Sequence, residues 1–335
     1  MTIRYNDYSN EMPHLSFNYD EEYYPTAADL PDPQINPVLV GARVPIQKAG
    51  VGPIELPMLL NRRDGTTQEI YAKASLYGSL DNPHKKGLNF SRFYITIHEA
   101  LENNNMSIDS LKDILINMKT KQDCSEAFCK LKFNYRWTQE ALRSRDILDD
   151  DVDPTQVWKI VDGKKISSNK KWGHIFYECE LEGQIDKDDN YRFFLTVNYR
   201  YSSTCPCSFQ LSHTAILNRG QAANGHSQRS NAKITVEMDP ENFVWIEEVV
   251  ELARKQIPTE VVIYCKRIDE MAFAELNGSN LLFTEDASRL LYEGLDNWFD
   301  EGKIKDFSVV TSHGESLHPY DAIAVMYKGL PDGLR

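Results

Sequence analysis

Three stretches of the sequence alternate apolar and polar side chains, and this period of two constrains the fold more than any other feature. Residues 127–137 place Cys, Leu, Phe, Tyr and Trp at every second position, with Lys, Asn and Arg between them. Residues 175–182 and 191–201 repeat the pattern and are joined by a polar turn. Alternation of this kind is typical of half-buried β-strands. The sequence therefore predicts antiparallel strands that turn one face to a core and the other to water.

Other segments have the apolar spacing of helices. Apolar residues recur every three or four positions in 91–103, 107–120, 240–255 and 281–299. In the third of these segments Asp239 is suited to cap the helix and Pro240 to its first turn.

Written in chain order, the predicted elements form two similar halves, each β-β-α-α-β-β. This order predicts an α+β fold in which antiparallel sheets carry helices on one face. We expect an irregular N-terminal arm at 1–36, a first unit at 37–188 and a second unit at 189–335. The predicted strands are 51–60, 67–79, 127–137, 172–182, 191–201, 231–238, 305–312 and 321–328, with a short extra run at 261–265 and a polar surface excursion at 138–171.

The composition narrows the classes of function. The 335 residues include 50 acidic and 37 basic side chains, a formal net charge of −13. Such a chain is a poor general binder of nucleic acid or of an anionic membrane, although a local basic pocket can still hold an anion. No stretch approaches the ~18 consecutive apolar residues of a membrane helix, and the N-terminus lacks the apolar core of a signal peptide. We expect a cytoplasmic protein that binds neither nucleic acid nor membrane.

Reactive side chains are concentrated in four short segments, 202–208, 225–230, 266–270 and 315–318. Each segment lies at the end of a predicted strand, so the four can converge on one site. Together they offer thiolate, imidazole and carboxylate groups, a set that suits Zn²⁺, Mn²⁺ or Fe²⁺ and leaves room for a water molecule. Each segment taken alone is a weak signal. In the Cys-Pro-Cys of the first, at most one thiolate is expected to bind the ion.

At these segments, and at 30–34, 86–93 and 283–286, the chain resembles GTP cyclohydrolase I of the type IB class, in the tunnelling-fold superfamily. The resemblance implies tandem β-β-α-α-β-β units whose subunits assemble into barrels. The expected assembly is a homo-oligomer, a homotetramer, with active sites at the junctions between subunits. The family reaction converts GTP and water to 7,8-dihydroneopterin triphosphate and formate. This product feeds tetrahydrofolate synthesis and, in many bacteria, deazaguanine modification of tRNA.

The resemblance also implies roles for individual residues. Cys205, His226 and Glu270 match residues that hold one divalent ion (Zn, Mn or Fe), and His318 matches either a fourth ligand or a proton donor. Cys205, His226 and His318 are accordingly the expected catalytic residues. Glu285 matches the glutamate that anchors guanine, because a carboxylate can accept from both N1–H and the exocyclic amine. The remaining candidates for holding GTP are Arg229, Lys266, Arg92 and Ser91, with Lys85, Lys86 and Arg267 as further cations for the triphosphate.

Three features depart from the family pattern. The separation of 21 positions between Cys205 and His226 is longer than usual, Asn89 replaces a frequent His, and Tyr320 replaces a common second His. Two other functions are alternatives to the cyclohydrolase. One is an NADPH-dependent nitrile reductase of the same superfamily, which uses a cysteine nucleophile and no metal. The other is a non-catalytic, metal-stabilised assembly protein that binds a nucleotide.

Overall fold

The strands join in one sheet whose order follows the chain closely. The computed structural model describes residues 19–26, 29–30, 41–102, 105–148, 158–161 and 164–334. Its strands are β1 (Ile46–Asn61), β2 (Thr67–Leu80), β3 (Asn105–Met106), β4 (Ala127–Leu148), β5 (Trp158–Val161), β6 (Lys164–Ile185), β7 (Tyr191–Thr204), β8 (Ser227–Met238), β9 (Ile304–His313) and β10 (Ala322–Tyr327). The order across the sheet is β10-β9-β8-β7-β6-β4-β2-β1-β3, with β5 beside β6. Neighbours are antiparallel except for the short parallel contact of β1 with β3.

The helices follow the order that the sequence predicts, with two additions. They are α1 (Phe90–Leu101), α2 (Ile108–Gln122), α3 (Pro206–Arg219), α4 (Ile246–Gln256), α5 (Arg267–Ser279) and α6 (Thr284–Asp300). With α3, α5 and the short strands β3 and β5 set aside, both halves have the order β-β-α-α-β-β, and the α+β class is confirmed. The halves form a single sheet, because β6 pairs with β7. The division into units at 37–188 and 189–335 stays a prediction.

One row of buried side chains crosses six strands and gives the two halves a common core. Its members face one another in register on the side of the sheet that α2, α4 and α6 cover, and none is more than 3% exposed. Burial of a large apolar side chain stabilises a fold by about 1.5–3 kcal/mol. Helices α2, α4 and α6 therefore lie on one face of the sheet, as predicted. The row consists of Ala74, Leu131, Leu181, Leu195, Val236 and Phe307.

The surface excursion predicted at 138–171 is wrong for the described part of that range, because β4 and β6 continue their ladder well into it; residues 149–157 and 162–163 lie outside the described residues. Pairing runs past Trp137 to Glu140 opposite Trp172, and it resumes after a bulge. The alternation fades here because polar side chains occupy buried positions. Gln139, for example, donates to the Glu260 carboxylate at 2.9 Å and to the Val261 carbonyl at 2.8 Å.

Three other predictions from the second half also need correction. The helix predicted at 240–255 begins only at Ile246, because Asp239 forms a turn with Asn242 and the Glu248 carboxylate accepts the N–H of Trp245 at 2.9 Å. The run 261–265 forms no strand. The N–H of Val261 donates to the Arg200 carbonyl and that of Ile263 to the Gln139 side chain, so no continuous ladder forms. Helices α3 and α5 are absent from the prediction. Most of the predicted arm at 1–36 lies outside the described residues.

In the part of the chain that the structure describes, no helix combines the length and the apolar character needed to cross a bilayer.

Candidate active site

The hairpin of β7 and β8 ends at the first two predicted metal ligands. Thr204 and Ser227 form the last ladder pair, with their hydroxyl oxygens 2.6 Å apart. One step further, the N–H of Cys205 donates to the carbonyl of His226 at 3.2 Å. Cys205 and His226 are therefore cross-strand neighbours, although α3 and a loop separate them in the sequence. Side chains at paired positions of this kind extend from the same face, with Cβ atoms about 5 Å apart.

Helix α3 fixes this corner from both sides. It begins at Pro206, whose φ suits the first helical position. The Ser208 hydroxyl of its first turn accepts the N–H of His226 at 3.1 Å. A Cβ on Gly225 would lie 2.9 Å from the Cα of Phe209, so the loop before His226 crosses the helix at a point where only glycine fits. The backbone on either side of the two predicted ligands is thus held by local contacts.

The connection between β9 and β10 approaches the same corner. The Glu315 Oε2 lies 3.7 Å from Nδ1 of His226, and both side chains are half-buried. The Nδ1 atom is also 3.0 Å from the Gln228 Oε1. Sequence reasoning gave no role to Glu315 or Gln228, although both lie inside the reactive segments. His318, further along the connection, is exposed and its ring stacks on that of Tyr320 at 4.9 Å between centroids.

Glu270 occupies the first turn of α5, where the neighbouring Asp269 fixes the helix. Asp269 is buried and accepts the N–H groups of Arg143, Ser144 and Lys266 at 2.7, 2.8 and 2.9 Å, together with the Ser144 hydroxyl. Burial favours the neutral acid, but these hydrogen bonds outweigh it and lower the pKa of Asp269 to about 2. A permanent carboxylate therefore attaches the start of α5 to β4 and sets the position of Glu270.

A cavity of about 490 Å³ lies between α3 and α5 and is mostly apolar. Glu270 lines it together with Phe209, Phe273, Gly225 and Ser227, the last two being the neighbours of His226 in the sequence. Three of the four reactive segments thus border one cavity or its rim. This arrangement supports their predicted convergence.

A buried histidine that the sequence reasoning missed lies behind the corner. His313, the last residue of β9, places Nε2 3.0 Å from the Tyr201 hydroxyl and Nδ1 3.2 Å from the Ser203 hydroxyl. Burial lowers the pKa of His313 to about 4, against the opposing charge of nearby Glu285. The only sequence signal was its position two residues before the Glu-Ser-x-His segment.

The predicted GTP-binding residues fall into two groups. Glu285 is exposed in the first turn of α6, near His313. Arg229 is exposed at the β8 end, where its carbonyl accepts from Gly314 at 3.2 Å, and Lys266 is exposed at the start of α5.

Ser91 and Arg92 form the second group. They begin α1, which packs on β1, four strand positions from β7 or about 19 Å at ordinary strand spacing. The structure does not bring these two together with the Cys205–His226 corner within one chain.

Within the described ranges, a single chain assembles no group of three or more His, Cys, Asp or Glu side chains that could hold a metal ion. The structure brings Cys205 and His226 together, and it places Glu270 on the adjoining cavity and His318 in an exposed loop.

Comparison with known proteins decides the family. The model of the family described as type I GTP cyclohydrolase FolE2 matches residues 30–158 and 155–324. The chain belongs to the type I GTP cyclohydrolase FolE2 family. The FolE2 protein of Cereibacter sphaeroides strain ATCC 17025 is 34% identical over 97% of this chain and 81% of its own length. That of Dinoroseobacter shibae is 35% identical over 96% and 81%. The predicted family and class of enzyme are confirmed.

Solved structures that resemble this chain include the uricase of Arthrobacter globiformis. It has a TM-score of 0.46 and 9% identity, covering 86% of this chain and 94% of the uricase. The uricase of Bacillus fastidious has a TM-score of 0.43 and 9% identity, covering 84% and 93%.

Proposed function

We propose that the protein is a metal-dependent GTP cyclohydrolase I that converts GTP and water to 7,8-dihydroneopterin triphosphate and formate. The observation that carries this proposal is the cross-strand pairing of Cys205 with His226 in a chain of the FolE2 family. The family also favours this reaction over the nitrile reductase and over a non-catalytic assembly protein. The product enters tetrahydrofolate synthesis in the cytoplasm under this proposal, and it can also supply deazaguanine modification of tRNA.

The donor set fits one divalent ion by its chemistry. Thiolate, imidazole and carboxylate are the ligands of Zn²⁺, and the carboxylate also suits Mn²⁺ and Fe²⁺. In our proposal Cys205 and His226 hold the ion, and Glu270 and His318 complete its ligand set, with His318 alternatively serving as proton donor. The chemistry that such an ion would supply between these residues is activation of water at neutral pH, which the poorly electrophilic C8 of guanine requires.

The chain's own residues bind and orient GTP in this proposal. The Glu285 carboxylate accepts hydrogen bonds from N1–H and the exocyclic amine of guanine, so the ring is held by two bonds in one plane. Arg229 and Lys266 meet the triphosphate, and their exposure at neighbouring element ends supports that role. A protonated His318 would donate to a purine ring nitrogen as the ring opens.

We also propose a homo-oligomer, a homotetramer, in which sheets close into barrels and subunits share the active sites. Helix α3 supports this proposal because it buries only Ser212 and leaves Leu211 69% and Leu217 79% exposed. At the sheet edge, β10 exposes Ile323 and Val325, and an open apolar edge favours association with another strand. A second copy would also supply Ser91 and Arg92, which lie far from Cys205 in their own chain.

The test compares the two cysteines of Cys-Pro-Cys. Purified protein is stripped with a chelator, supplied with Zn²⁺, Mn²⁺ or Fe²⁺, and assayed for pterin fluorescence after oxidation and for formate. We expect metal to restore turnover in the wild type. Cys205→Ala should abolish turnover while its circular dichroism stays native. Cys207→Ala, a change at an exposed neighbour, should retain turnover. Turnover by Cys205→Ala, or no pterin from the folded wild type with any metal, contradicts the proposal.

A further inference from the structure

A network of hydrogen-bonded polar side chains runs inward from His226. Nδ1 of His226 is 3.0 Å from the Gln228 Oε1, and the Gln228 Nε2 donates to the Ser203 hydroxyl at 2.8 Å. The Ser203 hydroxyl in turn lies 3.2 Å from Nδ1 of His313, whose Nε2 reaches the Tyr201 hydroxyl. Gln228, Ser203, His313 and Tyr201 are all buried. This network therefore connects β8, β7 and β9 through direct contacts between side chains.

The position of Gln228 in its strand is unusual for a core-facing residue. The buried face of β8 is apolar at Ala232, Ile234 and Val236 but becomes polar at Ser230 and Gln228, the end nearest Cys205. A buried amide needs hydrogen-bond partners for both its oxygen and its nitrogen. A buried polar group without a partner lowers the stability of the fold by about 1–3 kcal/mol. Gln228 meets this need with His226 on one side and Ser203 on the other. Its side chain is thus fixed at both ends.

This fixed amide determines which nitrogen of His226 carries a proton. Because the Gln228 Nε2 donates to Ser203, its carbonyl oxygen is the atom that faces His226. A carbonyl oxygen only accepts, so Nδ1 of His226 must be the donor and the neutral ring keeps a lone pair on Nε2. The Glu315 carboxylate, 3.7 Å from the same Nδ1, favours the same tautomer. Two acceptors therefore converge on one nitrogen and leave the other free.

We propose that Gln228 is a positioning residue that holds the His226 ring with its Nε2 lone pair available to a divalent cation. This inference rests on the metal dependence proposed above. Histidines that bind metals commonly donate their second N–H to a carbonyl or carboxylate, and loss of that partner lowers metal affinity about 10–100-fold. Gln228 supplies the carbonyl, and Ser203 keeps the carbonyl turned towards the ring.

The test measures Zn²⁺ affinity directly, by competition with a chromophoric chelator on the purified full-length protein. Gln228→Met keeps the size of the side chain but removes its acceptor, and we expect affinity to fall about 10–100-fold. Gln228→Glu restores an acceptor at the same reach, so its affinity should stay within a few-fold of wild type. Gln210→Met, an identical change at an exposed position of α3, is the matched control and should bind as wild type does.

The possible failures are distinguishable. If the wild type does not bind Zn²⁺, the metal dependence itself fails. If the wild type binds and Gln228→Met binds equally well, the role of Gln228 is wrong. Should Gln228→Met not fold, as judged by circular dichroism, Gln228→Asn keeps an amide that is one methylene too short to reach both partners. Undiminished affinity in a folded Gln228→Asn variant would likewise overturn the inference.

Discussion

Replacing Asp269 with asparagine should cost the protein about 2 kcal/mol of folding free energy at neutral pH. The native carboxylate accepts four hydrogen bonds, three from backbone N–H groups and one from the Ser144 hydroxyl. These bonds place its pKa at about 2, below the ordinary value of 3.8. At about 1.4 kcal/mol per pKa unit, the difference corresponds to about 2 kcal/mol. Asparagine keeps one acceptor oxygen and turns its NH₂ towards donors, so the loss should be at least this large.

The pH dependence gives this prediction a sign that can be checked. Because folding lowers the pKa of Asp269, the unfolded chain binds the proton more readily, and the stabilisation is present above about pH 4 and is lost as pH falls towards 2. Urea unfolding of the wild type and Asp269→Asn should therefore differ by about 2 kcal/mol at pH 7, with the difference shrinking below pH 4.

The control for Asp269→Asn is Glu275→Gln, on the same helix. Glu275 pairs with Arg143 at the surface, so this change should cost less than about 1 kcal/mol. Equal losses in the two variants, or a difference for Asp269→Asn that persists unchanged to pH 2, would refute the reasoning.

Two further predictions concern His313 and α3. Burial lowers the pKa of His313 to about 4 from 6.5, so its neutral form stabilises the fold above pH 6.5 and this contribution falls as pH drops to 4. Tyr201 and Glu285 are titratable groups that face His313. His313→Gln should make the melting temperature depend less on pH between 6.5 and 4.5, and an unchanged pH dependence contradicts the assignment. In the proposed oligomer, Leu217→Glu should yield a folded, smaller species by analytical ultracentrifugation, whereas Asn218→Glu, also exposed, should leave the assembly intact; an intact Leu217→Glu assembly excludes α3 from the interface.

The elements whose side chains pack within the same chain were the easiest to predict from the sequence. Leu131 and Leu181 belong to strands in which buried positions alternate with more exposed ones over 127–136 and 175–185, so this periodicity predicted the elements and the covered face. The two-fold β-β-α-α-β-β order followed from these elements alone. The residues of the candidate site came from the reactive segments and from the resemblance.

Helices that do not pack in this way left no periodic trace. Helix α3 buries only Ser212 against its own chain, so nothing in its spacing distinguished a helix from a loop. Helix α5 begins in a charged segment whose Asp269 is buried through hydrogen bonds to distant β4, a contact that local spacing does not encode. His313 was missed for the same reason, because its partners Tyr201 and Ser203 lie more than a hundred positions away.

Because Cys205 pairs with His226, helix α3 and its loop form a connection whose two ends lie side by side. The two residues meet through ladder register, with Thr204 opposite Ser227 as the pair before them. Insertion or deletion of residues between 207 and 224 would change the length of this connection and leave its two ends side by side. The long interval between Cys205 and His226 is therefore compatible with their predicted role as a ligand pair. The strand register, and not the number of residues between them, therefore sets Cys205 and His226 side by side.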